Sequence, residues 1–68
     1  MLQFREIQKG SVMLLEVWGQ DRLHRETYLG SISQSGTYAP SRMTQIELRP
    51  QELRLIADHC ILRKTIGR

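Results

Sequence analysis

Most of the chain is a series of short runs in which apolar and polar residues alternate, and a run with helical spacing closes it. Alternation places successive side chains on opposite faces of a strand, whereas recurrence at i, i+3, i+4 and i+7 marks one face of a helix. Leu2 and Phe4, with Ile7 beyond them, define a first strand that ends at the turn Lys9-Gly10-Ser11. Val12 to Trp18 follows, too short for a helix between its turn signals and apolar nearly throughout, which predicts a central strand covered on both faces. Gly19-Gln20-Asp21 is a hairpin loop in this reading, and Arg22 to Ser31 alternates as the strand that pairs back.

Gly30 to Ser41 is dense in Ser, Gly and Pro and reads as the longest irregular, most mobile segment. Met43 to Leu48 alternates again and predicts the last strand, with Thr44, Ile46 and Leu48 on one face. Pro50 suits the first turn of a helix, where its missing N–H costs nothing. Glu52 then lies near the positive end of the helix dipole, Arg63 and Lys64 lie near the negative end, and Gly67 supplies the stop. Leu53, Ile56, Ala57, Cys60 and Ile61 form the stripe expected against the sheet. Leu55, Leu62 and Ile66 form a second apolar row off that stripe, which one small sheet does not cover. The fold class expected is α+β, an antiparallel sheet of three to four strands followed by one C-terminal helix, in a single domain spanning residues 1–68.

A 68-residue chain lies near the lower size limit for an independent core, where disulfides, metal or self-association usually add stability. Cys60 is the only cysteine and the two histidines, His24 and His59, are far apart, so neither an internal disulfide nor a structural zinc site is expected. Self-association remains, and a homodimer is the default oligomer. The second helical row suggests that the dimer forms through Leu55, His59, Leu62 and Ile66. No segment approaches the ~18 apolar residues of a membrane span, and Met1 to Lys9 lacks the order of a signal peptide. A cytoplasmic protein with a reduced Cys60 and no membrane partner is therefore expected.

Ten Lys and Arg against seven Asp and Glu give a net charge of +3, and eight of the ten cations are arginine. Arginine favours planar, bidentate contact with phosphate. No phosphate loop, metal cluster or nucleophile elbow is present. Asp58-His59-Cys60 does not form a triad, because adjacent helical residues point about 100° apart. The chain is expected to bind and not to catalyse, without a cofactor. Arg5, Lys9, Trp18, Arg22, His24, Arg25, Tyr28 and Arg42 all fall on expected strands or their ends. A sheet that gathers them would neutralise phosphates and stack unpaired bases, the physics of single-stranded nucleic-acid binding. The bland alternative is that these charges solvate a half-buried sheet, with Glu16, Glu26 and Glu47 pairing the arginines across strands.

The run Thr44-Gln45-Ile46-Glu47-Leu48-Arg49-Pro50-Gln51-Glu52-Leu53, a strand feeding directly into a helix, resembles the positive-cofactor-four-like family of transcriptional coactivators and its bacterial and phage relatives. The resemblance is clearest from Met43 to Leu62. It implies a homodimer joined through its C-terminal helices, binding single-stranded DNA across curved antiparallel sheets; the function expected is a dimeric module for single-stranded DNA or RNA in a regulatory or replication-linked role. By position, Arg42 matches a phosphate contact of the family, and Leu48 and Leu53 match core residues. Ser41-Arg42 and Arg49 stand where the family has a Gly/Lys-rich approach and a polar helix cap. Arg22 to Gly30 is also similar to the basic strand of the arm-binding domain of phage-type integrases, although there a helix follows almost at once. The competing expectation is a protein-interaction module, such as a phage- or plasmid-type inhibitor or accessory subunit, that uses the exposed helix row or a sheet edge.

Overall fold

The computed structural model describes residues 1–42, 44 and 48–66. Four strands, β1 (Leu2–Lys9), β2 (Val12–Gln20), β3 (Glu26–Ile32) and β4 (Tyr38–Pro40), are followed by the helix α1 (Pro50–Ile66). The strands form one antiparallel sheet in the order β1-β2-β3-β4, each paired with its neighbour in sequence. The α+β architecture is the one the alternation pattern predicts.

β1 and β2 pair from Leu2↔Gly19 to Lys9↔Val12 around a two-residue turn, where Gly10 has φ 63°. Glycine takes that conformation without steric cost, as tight hairpins require. Between β2 and β3 the register shifts at Val17/Trp18, so that Val17 opposes Gly30 while Trp18 opposes Tyr28, and Leu29 is the extra residue of a bulge. The bulge turns Leu29 inward beside Ile32, and Val17, Leu29, Ile32 and Ile56 make the buried core. Each such side chain stabilises the fold by about 1.5–3 kcal/mol. The Leu29 carbonyl is bonded by the Tyr38 hydroxyl at 2.5 Å, the Thr44 hydroxyl at 2.9 Å and the Ser41 amide at 3.2 Å, so the turn after β4 is tied to the bulge. Burial raises the Tyr38 phenol above its ordinary pKa, and the hydrogen bond from Thr44 partly offsets the shift.

Four expectations change. Arg22 to Arg25 lie in the β2–β3 loop, and β3 starts only at Glu26. Asp21 organises this loop by accepting hydrogen bonds from the Leu23 and Arg25 amides at 2.8 and 2.9 Å, a local bonding pattern that competes with the ladder. Second, Gly30–Ser41 is no irregular segment. It completes β3 and supplies β4 through a hairpin in which the Ser33 amide donates to the Thr37 carbonyl at 2.8 Å. Third, β2 is central but covered on one face only, because α1 is the sole second layer among the described residues.

The fourth change concerns the helix stripe. Ile56 is buried and Cys60 half-buried, yet Leu53, Ala57 and Ile61 are exposed. The inward line runs instead through Ile56, His59, Cys60 and Arg63. Arg63 donates from Nε to the Ser33 carbonyl and from a terminal nitrogen to the Met13 carbonyl, at 2.8 and 2.7 Å, which clamps the helix across the sheet. At the other end the Glu52 carboxylate accepts from the Arg49 amide at 3.0 Å, satisfying a donor that the helix leaves unpaired. Of the expected strand Met43–Leu48, Thr44 is in a turn and Leu48, separated from the helix by Arg49, has no regular structure; the remainder, like Gly67, lies outside the described residues.

Candidate nucleic-acid interface

The register fixes what the uncovered face carries. Side chains in phase with Val17 point to the helix, and those in phase with Trp18 point away. The outer face therefore bears Gln3, Arg5, Ile7 and Lys9 from β1, Leu14, Glu16, Trp18 and Gln20 from β2, and Glu26, Tyr28 and Ser31 from β3. Its apolar end is the cross-strand pair Ile7 and Leu14, and its aromatic end is Trp18 and Tyr28.

Four of the expected binding residues, Arg5, Lys9, Trp18 and Tyr28, share this face. The Trp18 and Tyr28 rings lie 5.4 Å apart at an interplanar angle of 59°, in the range of tilted aromatic pairs. The Arg5 guanidinium sits over the indole, 5.0 Å from its centroid. The same guanidinium bridges over β2 to pair with Glu26 on β3 and bonds Gln3 Oε1 at 2.9 Å. Glu16, directly opposite Arg5 in the register, instead accepts the indole N–H of Trp18 at 3.2 Å. Gln3 donates to Gln20 at 3.2 Å, and Gln20 approaches His24 Nδ1 at 3.4 Å, which joins the β2–β3 loop to the face.

Arg22, His24 and Arg25 belong to that loop and Arg42 to the turn after β4, all exposed. Arg25 is held by the Asp21 carboxylate at 2.7 Å. Hydrogen bonds from the Arg25 amide, the Arg25 side chain and the Leu23 amide outweigh desolvation and hold the Asp21 carboxyl below its ordinary pKa. Lys9, Arg22 and Arg42 make no ion pair among the described residues. The residues that the alternation pattern did not single out are Gln3 and Gln20. Their signal was in-phase spacing with Arg5 and Trp18 once the strand register is known.

Of the residues assigned to a dimer contact, Leu55, Leu62 and Ile66 are exposed at 46%, 52% and 74%. His59 turns inward, its ring 3.9 Å from that of Phe4. Leu53, Ala57 and Ile61 flank the other side of the helix, and with Tyr38 and Cys60 they line an open groove beside β4. Arg54, Asp58 and Thr65 separate the two flanks at the helical spacing of about 100° per residue. No helix among the described residues is long and apolar enough to cross a membrane. No family model matches the chain, and neither the curated proteins nor the solved structures compared with it give a match.

Proposed function

We propose that this protein is a dimeric nucleic-acid-binding module that acts by binding and not by catalysis, with single strands preferred and a regulatory or replication-linked role. The observation that carries this reading is the uncovered aromatic end of the sheet, where Trp18 and Tyr28 stand beside Arg5. Exposed rings stack on unpaired bases, and cations at the rim of such a face neutralise phosphates. Arg22, in the β2–β3 loop, and Arg42, in the turn after β4, are further exposed cations that suit phosphate neutralisation. Kinship with the positive-cofactor-four-like family belongs to the same proposal. It rests on the order of a strand meander followed by one helix and on the sequence pattern from Met43 to Leu62, of which Thr44 and Leu48 lie outside any strand.

Trp18 is the only tryptophan, so its fluorescence reports directly on the candidate face. Titration with single- and double-stranded oligonucleotides is expected to quench Trp18, with tighter binding to single strands and a steep loss between about 50 and 200 mM salt. Trp18→Ala removes a stack that contributes about 1–3 kcal/mol. Absence of binding at low salt overturns the reading. The groove lined by Tyr38, Leu53 and Ile61 favours a second reading, a protein-interaction module of the inhibitor or accessory-subunit type. A stable complex with one protein that survives nuclease treatment would decide for it.

A further inference from the structure

The Arg5 guanidinium occupies a slot whose chemistry is specific. One wall is the Trp18 ring, 5.0 Å from the guanidinium carbon. The far end is the Glu26 carboxylate, which accepts from the guanidinium. The indole is held in place by its own N–H bond to Glu16. The site therefore accommodates a flat group that lies over an indole and presents N–H donors to a carboxylate.

Guanine is the nucleobase with that shape and donor pattern. Its N1–H and N2 amino group are adjacent donors and, with C2 between them, form a guanidine fragment. Thymine and uracil flank their single N–H with two carbonyl oxygens, which a carboxylate repels. Adenine offers one amino group beside an acceptor, and cytosine likewise. Resting on the nucleic-acid reading above, we infer that Trp18 and Glu26 form a guanine-selective subsite, filled in the free protein by Arg5 as an internal mimic of the base. When guanine enters, its Watson–Crick edge takes over Glu26 and the Arg5 guanidinium is released toward a neighbouring phosphate. The pair lies where this exchange is open to solvent, with the Arg5 and Glu26 side chains 43% and 35% exposed.

This assigns a purpose to an acid in the middle of a phosphate-binding face. Glu26 repels the backbone in general but recognises one base in particular. Glu26→Gln removes the charge and keeps the side-chain length at an exposed position. It is expected to strengthen binding to thymine-only strands, because Arg5 is freed, and to erase the preference for guanine.

The test uses the full chain and three 12-nucleotide single strands at about 50 mM salt: alternating guanine and thymine, the same sequence with inosine for guanine, and thymine alone. Inosine lacks the N2 amino group, so it breaks the guanidine fragment without altering the protein. The guanine strand is expected to bind about tenfold or more tighter than the inosine strand, the discrimination of a bidentate base contact. The ratio should fall to near one in Glu26→Gln. Equal affinity for guanine and inosine strands in the unaltered protein overturns the inference and leaves nucleic-acid binding standing. Failure of all three strands to bind overturns the binding proposal itself.

Discussion

At the residue scale, the decisive position is Gly30. Its φ of 134° lies outside what an L side chain readily adopts, and an added Cβ would run into the Ala39 carbonyl oxygen and the Tyr38 ring. Gly30→Ala is therefore expected to cost about 2 kcal/mol or more, combining 1–3 kcal/mol of backbone strain with the clash. The total stability of a domain this size is only about 3–10 kcal/mol. Urea denaturation followed by Trp18 fluorescence should show a lower midpoint with an unchanged slope. Asp21 gives a second, pH-dependent expectation. Its carboxyl is lowered in the folded loop, so its contribution is complete above the unfolded value of ~3.9 and is lost as pH falls through the lower folded value. Acid titration followed by NMR should show the Leu23 and Arg25 amides moving together below about pH 4, while Asp21→Asn shows no such step. Neither position was legible from residue type alone. Gly30 looked like loop composition, and Asp21 like one more polar residue before a strand, because a bulge and a side-chain-capped loop leave no periodicity.

At the element scale, β1, the Gly10 turn, β2 and the helix from Pro50 follow directly from alternation, a turn dipeptide and a proline at a first turn. The β4 hairpin was hidden because Ser, Gly and Pro composition is shared by loops and by short edge strands. The helical stripe was misplaced for a different reason. Aliphatic residues surround α1 on two flanks, so spacing alone does not choose an inward face, and a charged residue makes the choice. Arg63 bonds the Met13 carbonyl on β2 and the Ser33 carbonyl just past the end of β3, and draws its side of the helix onto the sheet. Arg63→Met keeps the length and apolar stem but removes both bonds and leaves the Met13 and Ser33 carbonyls without this donor. Loss of about 1–3 kcal/mol is expected. Amide exchange should accelerate along the C-terminal half of α1 more than in β2, which distinguishes detachment of the helix from global unfolding.

At the scale of the whole molecule, four buried side chains among the described residues are a small core, while Leu55, Leu62 and Ile66 remain in water on one helix flank. A second copy covering that flank hides the apolar row without touching the outer sheet face, because the helix and that face lie on opposite sides of the sheet. Two copies then present two faces to one strand. Linking two sites turns the second binding event into an intramolecular one and raises avidity without new contacts. In the proposed dimer, nucleic-acid affinity depends on dimerisation. Leu62→Glu with Ile66→Glu places charges on exposed positions, so the subunit fold should persist by circular dichroism while light scattering falls from dimer to monomer mass. For a strand long enough to span both faces, affinity should drop by about 100-fold. The salt dependence should fall with it. With about four phosphates neutralised per subunit, log K against log salt has a slope near −6 for the dimer and −3 for the variant, at about 0.7 per phosphate on single strands. A variant that becomes monomeric yet keeps both the affinity and the slope of the unaltered protein would show that each sheet binds alone.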